Sequence, residues 1–233
     1  MMTNESAKEK ILLAMDVDDL TSAGKLLDRL EGELQWVKIG LQLFTAEGPQ
    51  VVRLARERGL KVFLDLKFHD IPNTVQEAVA SAARLGVSMA TLHLAGGPEM
   101  VRAATREAGD VFLLGVTVLT SMDEAQLAAV GVPRDPASQV IHLAGMGIEA
   151  GLKGVVASPK EIHALREAFG PDLRIVTPGV RPAGSDLADQ KRVATPSAAI
   201  RDGADYLVVG RPVSAAADPV EAFRSIAAEI ASC

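Results

Sequence analysis

The chain has 233 residues, which suits one large domain or two small ones, and its 48% hydrophobic content is enough for a sizeable core. Its formal net charge of −6, without any run of basic residues, argues against a nucleic acid as the main partner. The first residues contain no apolar stretch of signal-peptide length, and no apolar run reaches the ~20 residues needed to cross a membrane, so we expect a cytoplasmic protein.

Short apolar runs of strand length alternate with helical patterns along the chain. The run 11–17 precedes a helical pattern over 20–30, and the run 36–40 precedes one over 49–58. The other predicted strands open the stretch 61–74 and lie at 89–95, 111–119, 154–158, 174–180 and 206–209. Helical patterns follow at 73–85 and 98–108, once or twice within 123–150, at 159–169, and after Thr195-Pro196 and Asp218-Pro219.

Eight strands alternating with helices indicate an α/β protein of the (β/α)8 TIM-barrel class. The strands are nearly continuous apolar runs, as expected of parallel strands covered on both faces. A doubly wound open sheet is the competing fold, but it usually has a glycine-rich turn after its first strand, where residues 16–19 read Asp-Val-Asp-Asp. Because no linker or low-complexity segment interrupts the chain, we expect a single catalytic domain over residues 1–233.

The stretch 61–74, KVFLDLKFHDIPNT, concentrates charged groups at the end of one buried strand. In a regular strand, Asp65 and Lys67 share one face with Cα atoms roughly 6.6 Å apart, while Leu64 and its alternate neighbours fill the other. An acid and an ammonium group are thus predicted to point the same way. Asp70 follows within three residues, and Ile71-Pro72 ends the strand.

Charged residues recur where other predicted strands end. Barrel enzymes carry their reactive groups at the carboxyl ends of the strands, and the loops after strands seven and eight often bind a phosphate. Asp16 and Lys38 lie at such ends, as do Asp65 and Lys67. Gly210 and Arg211 follow strand eight, Arg181 follows strand seven, and with Gln190 they offer donors for a phosphate dianion.

The remaining candidates for chemistry are weaker. The four histidines lack metal-ligand spacing, so we predict no metal site. His142 and His163 lie in helical patterns and are expected to be ordinary surface or packing residues, whereas His93 ends strand four and faces the mouth. Cys233 is the only cysteine, so no internal disulfide can form.

Three sequence features together resemble those of a known family. These are the element D-x-K-x-x-D-I-P-x-T over residues 65–74, Lys38 within VKIG, and TPGVRPAGSD with VVGRP near the last two strands. The chain closely resembles bacterial orotidine 5'-phosphate decarboxylases over nearly its full length. The resemblance implies a homodimeric barrel that converts orotidine monophosphate to uridine monophosphate and CO2 in pyrimidine synthesis, without metal or organic cofactor.

The resemblance also implies roles for individual residues. Lys67 resembles the proton donor and Asp65 the carboxylate beside the leaving CO2, with Lys38 and Asp70 completing an alternating charge network. The remaining positions resemble substrate contacts: Asp16 and Lys38 at the ribose, Asp70 and Thr74 at the ribose of the neighbouring subunit, Thr120 and Ser121 at the pyrimidine edge, and Arg181, Gln190, Gly210 and Arg211 at the phosphate.

Two other functions compete with this one. Mg²⁺-dependent phosphosugar lyases, such as 3-keto-gulonate-phosphate decarboxylase and hexulose-phosphate synthase, share D-x-K-x-x-D but resemble a WVEIG-type second strand with a glutamate ligand. Here that position is Lys38, whose ammonium group cannot bind Mg²⁺. A non-catalytic phosphate-binding or scaffolding barrel would be expected to have lost one or more of these charged residues. All of them are present.

Overall fold

The computed structural model describes residues 2–182 and 194–233. Eight parallel strands form a closed barrel in chain order, each pairing with the next and the last with the first. The strands are β1 Ile11–Ala14, β2 Trp36–Gly40, β3 Lys61–Phe68, β4 Met89–His93, β5 Phe112–Val116, β6 Gly154–Val156, β7 Arg174–Thr177 and β8 Tyr206–Val209. The predicted (β/α)8 architecture is confirmed.

Helices surround the barrel between successive strands. They are α1 Asn4–Lys8, α2 Leu20–Arg29, α3 Leu41–Glu47, α4 Gln50–Glu57, α5 Pro72–Leu85, α6 Gly97–Arg106, α7 Glu124–Ala129, α8 Pro136–Glu149, α9 Ile162–Phe169, α10 Pro196–Arg201, α11 Arg211–Ser214 and α12 Pro219–Ala231. Short 3₁₀ turns precede α6 and α9, so the helix predicted over 159–169 divides at Ile162. No helix within 2–182 or 194–233 is both long and apolar enough to span a membrane.

Apolar side chains fill the barrel and surround it. The larger cluster lies between the sheet and the helices, where Leu13, Ile39 and Leu64 face outward from their strands. The smaller cluster, which we call the inner plug, comprises Leu12, Ala14, Trp36, Phe63, Met89, Leu114, Val176 and Val208. Burial on both faces explains why the strands are apolar almost throughout.

Strand β3 departs from the regular alternation predicted for it. Its register against β4 shifts between Leu64 and Phe68, and Lys67 has φ of 53°, in the left-handed region. Lys67 is the only residue other than glycine with a positive φ in the described chain. Three residues of β3 therefore lie opposite one residue of β4, and irregularities of this kind, like β-bulges, often re-aim a side chain near a functional site.

Candidate active site

Four charged side chains form an alternating chain at the carboxyl ends of β1, β2 and β3. Lys38 Nζ lies 3.6 Å from Asp16 Oδ1 and 3.6 Å from Asp65 Oδ2. Lys67 Nζ donates a hydrogen bond of 2.9 Å to Asp65 Oδ1. Each cation therefore has a carboxylate neighbour, and Asp65 lies between two cations.

Asp65 remains ionised because of its neighbours. Burial alone would raise the pKa of Asp65, but Lys38, Lys67 and the hydrogen bonds from Lys67 and Thr91 leave that pKa below its usual value. A buried carboxylate is stable in this form only when it is paired and hydrogen-bonded. Asp65 therefore supplies a fixed negative charge beside the Lys67 ammonium.

The charged chain forms one side of a cavity of about 150 Å³ at the barrel mouth. This volume is below the ~300–1,000 Å³ typical of pockets for drug-sized ligands, so it suits a single ring better than a whole nucleotide. The cavity is lined by Lys38, Phe63, Asp65, Lys67, Val116, Val118, Leu119, Thr120, Val156, Ala157, Ser158, Pro178 and Val208. The cavity is therefore an apolar slot with one charged edge. It can hold a flat ring against two lysines and a carboxylate.

Two buried polar groups, one bonded to Asp65 and one in the cavity wall, were not predicted from the sequence. Thr91 has no exposed surface and donates a 3.0 Å hydrogen bond to Asp65 Oδ1. Ser158, also fully buried, donates to the buried carboxylate of Glu161. Both residues could have been identified from the sequence. Thr91 is a polar residue in an apolar strand, as Lys38 is, and Ser158 with Glu161 has the Ser-x-x-Glu spacing of a helix start.

The predicted phosphate-binding residues lie at the ends of β7 and β8. Arg181 is half-buried, and its backbone N–H donates to the Ala194 carbonyl beside a bridge between Val180 and Ala194. Arg211 is exposed at the start of α11, and Gly210 is buried against Asp16, where an added methyl group would lie 3.3 Å from Asp16 Oδ2. Gln190 lies outside the described residues.

The remaining predicted residues lie around this mouth. Thr120 lines the cavity, and Ser121 next to it is exposed. Asp70 and Thr74 are exposed, and Asp70 Oδ1 accepts a 2.7 Å hydrogen bond from the Ile71 N–H. In the described contacts of one chain, Asp70 does not join the charged chain; Asp16 occupies the other end of it.

Two of the four histidines lie on helices, as expected, and the other two lie next to each other. His142 and His163 are exposed on α8 and α9. The His93 ring lies 5.4 Å from the His69 ring, centroid to centroid. Burial lowers the pKa of His93, as do His69 and Lys67, against an opposing effect of Asp65, which favours the neutral form of the ring. The described residues contain no group of three His, Cys, Asp or Glu side chains arranged for a metal ion.

The backbone of Lys67 allows a prediction about stability. Because a side chain in the left-handed region costs roughly 1–2 kcal/mol, we expect Lys67→Gly to have a free energy of unfolding about 1 kcal/mol higher than Lys67→Ala. At Lys61, which begins the same strand with an ordinary φ, the order should reverse, with Gly about 0.5–1 kcal/mol below Ala. Urea unfolding of the four variants measures both differences, and the same order at both positions would contradict the strain at Lys67.

The closed barrel, with its alternating charges at the carboxyl rim, defines an enzyme of the (β/α)8 class. The chain belongs to the orotidine 5'-phosphate decarboxylase / HUMPS family, whose profile matches residues 9–226.

Named relatives and solved structures agree with this assignment. The chain is 54% identical over 239 aligned positions to the orotidine 5'-phosphate decarboxylase of Moorella thermoacetica, covering 98% of this chain and 95% of the relative. It is 47% identical to that of Trichlorobacter lovleyi, covering 98% of each. The crystal structure of orotidine 5'-phosphate decarboxylase from Lactobacillus acidophilus has a TM-score of 0.84 at 36% identity, covering 94% of this chain and 98% of the other.

Proposed function

We propose that the protein is a cytoplasmic enzyme that decarboxylates orotidine 5'-monophosphate to uridine 5'-monophosphate and CO2, as one catalytic domain over residues 1–233. One observation carries the proposal beyond family membership. The Asp16–Lys38–Asp65–Lys67 chain places an ammonium, fixed by a buried carboxylate, on the wall of a slot that suits one ring. An ammonium in this position matches the charge that forms when CO2 leaves a pyrimidine.

The chemistry explains why a lysine is needed. Breaking the bond between C6 and the carboxyl carbon leaves an electron pair on an sp² carbon that the ring delocalises poorly. The Lys67 ammonium stabilises that charge as it develops, then transfers a proton to C6, forming the C–H bond of the product. Fixed groups that act only in the transition state are typically worth about 3–4 kcal/mol each.

Asp65 has two roles in this proposal. Its Oδ1 atom holds the Lys67 ammonium at 2.9 Å, which fixes the donor before the substrate arrives. Its charge also lies beside the carboxylate of the bound substrate, which raises the free energy of the ground state relative to the transition state. Lys38 bridges Asp65 and Asp16, and so joins the reacting end to the ribose-binding end.

The rest of the nucleotide extends from the slot toward the last two strands. Thr120 and Ser121 read the pyrimidine edge, Asp16 and Lys38 bind the ribose, and the phosphate lies among Arg181, Gln190, Gly210 and Arg211. The proximity of Gly210 to Asp16 supports this order, because a Cβ added at Gly210 would lie 3.3 Å from Asp16 Oδ2 and the proposed ribose and phosphate ends are therefore neighbours. Binding a distant phosphate contributes to the rate when its contacts close the site over the substrate.

The functional form is a homodimer in which Asp70 and Thr74 contact the substrate of the neighbouring subunit. Both residues are exposed in the single chain, and next to Asp70 the large apolar side chain of Ile71 is 66% exposed. Leu41, which follows the neighbouring strand β2, is 56% exposed. These exposed apolar side chains, one of them next to a carboxylate that lies outside the charged chain, support coverage of the surface around Asp70 by a second copy of the chain.

The reaction needs no metal or organic cofactor in this proposal. We expect the purified protein to release CO2 from orotidine monophosphate at the same rate with and without excess EDTA, because the ammonium groups of Lys38 and Lys67 supply the positive charge. The measurement is CO2 release or loss of substrate absorbance. Activity that requires added Mg²⁺, on a phosphosugar rather than on the nucleotide, would instead assign the protein to the metal-dependent lyases that share D-x-K-x-x-D.

A further inference from the structure

Thr91 connects the two residues on which the proposed chemistry depends. Its hydroxyl accepts a 2.9 Å hydrogen bond from the backbone N–H of Lys67 and donates one of 3.0 Å to Asp65 Oδ1. Asp65 Oδ1 also accepts the Lys67 ammonium. One side-chain oxygen therefore fixes the backbone of the cation and the carboxylate that orients it.

The location of Thr91 explains why a hydroxyl is needed there. The register of β3 against β4 shifts between Leu64 and Phe68, so the left-handed turn at Lys67 falls within an irregular part of the ladder. Within this irregular part of the ladder, the Lys67 N–H donates its hydrogen bond to the side chain of Thr91. A strained backbone conformation persists only where surrounding contacts hold it, and this hydrogen bond supplies such a contact.

The location of Thr91 suits it to orient other side chains rather than to contact the substrate. It has no exposed surface and is absent from the residues that line the cavity. Alternation along β4 places it on the same face as Met89 of the inner plug, so it points into the barrel beneath the charged chain. A group in this position acts on the substrate only through Asp65 and Lys67.

We propose that Thr91 is a positioning residue that sets the relative placement of the Asp65 carboxylate and the Lys67 ammonium through its one hydroxyl group. This inference rests on the proposed decarboxylation. Because a misplacement of about 1 Å in an active site can cost ~10²-fold in rate, losing both hydrogen bonds should lower kcat much more than it changes KM.

Four variants at two threonines test the proposal. Thr91→Val keeps the shape and removes the hydroxyl, and we expect kcat to fall about 10–100-fold with KM changed less than about threefold. Thr91→Ser restores the hydroxyl and should recover kcat to within about threefold of the wild type. Thr117→Val is the matched control, because Thr117, directly after β5, is also a buried threonine but donates its hydroxyl to the Val156 carbonyl instead of to Asp65.

The outcomes separate this inference from the proposed function. Full kcat in Thr91→Val, or a Thr91→Ser variant as slow as Thr91→Val, would overturn the positioning role while leaving the decarboxylase assignment intact. A wild-type protein inactive on orotidine monophosphate would instead overturn the proposed function. If Thr91→Val does not fold, Thr91→Ser and Thr91→Ala decide the question, since they differ only in the hydroxyl: equal kcat values would overturn the proposal and a faster serine variant would support it.

Discussion

Replacing Lys67 by alanine should lower kcat for orotidine monophosphate by roughly 10⁴-fold or more, because one group supplies both electrostatic stabilisation and the proton. The first contribution is typically worth about 10²–10³ and the second about 10²–10⁴. The structure gives the geometric basis: Lys67 Nζ is fixed on Asp65 and lines the cavity. Single-turnover CO2 release measures the loss of the chemical step directly.

Lys61 offers a matched control on the same strand. It begins β3 at the opposite end of the barrel, where its Nζ lies 5.3 Å from the centre of the Trp36 ring. Lys61→Ala removes the same charge and the same side-chain length, yet activity should stay within about twofold of the wild type. A Lys67→Ala variant that retains more than about 1% of kcat, with the wild-type fold, would show that another group donates the proton.

Mixing two inactive variants should restore activity if the site is shared between subunits. Asp70→Ala and Lys67→Ala are each expected to be inactive as homodimers, since every site lacks one charged group. After subunit exchange, a mixed dimer has one site with Lys67 from one chain and Asp70 from the other. Random exchange should therefore recover about a quarter of the wild-type activity, because half of the dimers are mixed and each has one intact site.

The control for this experiment pairs two variants whose residues come from the same chain. Asp65 and Lys67 contact each other within one subunit, so mixing Asp65→Ala with Lys67→Ala leaves both sites of every mixed dimer defective. No recovery is expected in that mixture. If the Asp70 mixture also fails to recover although exchange is demonstrated, for example with differently tagged chains, Asp70 does not act across the interface.

The fold was predictable because parallel strands buried on both faces leave a distinctive apolar pattern. All eight strands and their order follow from it, but their ends do not. The run 111–119 contains only the five paired residues Phe112–Val116, and Val118 and Leu119 beyond them line the cavity. Hydrophobicity does not distinguish strand pairing from other apolar environments, so apolar residues in a cavity wall resemble a continued strand. Helix α3 was missed because only Leu43 among its residues is buried.

The candidate site was also predictable only in part. Strand alternation correctly predicted that Asp65 and Lys67 meet, since their side chains lie within hydrogen-bonding distance. It did not predict the register shift, because the shift depends on how β4 pairs with β3 and on the Thr91 hydroxyl, which is 24 residues from Lys67 in sequence. Local sequence patterns thus identify the charged groups. The backbone conformation that orients them depends on a contact between two strands, which those patterns do not contain.

The inner plug determines the route by which substrate enters the site and products leave it. Phe63 and Val208 belong both to the plug and to the cavity lining, so they form a solid floor beneath the slot. Because these buried apolar side chains fill the described part of the barrel below the slot, we expect substrate, nucleotide product and CO2 to exchange at the mouth. Each catalytic cycle then ends only when the bulky product has vacated the route that the next substrate requires.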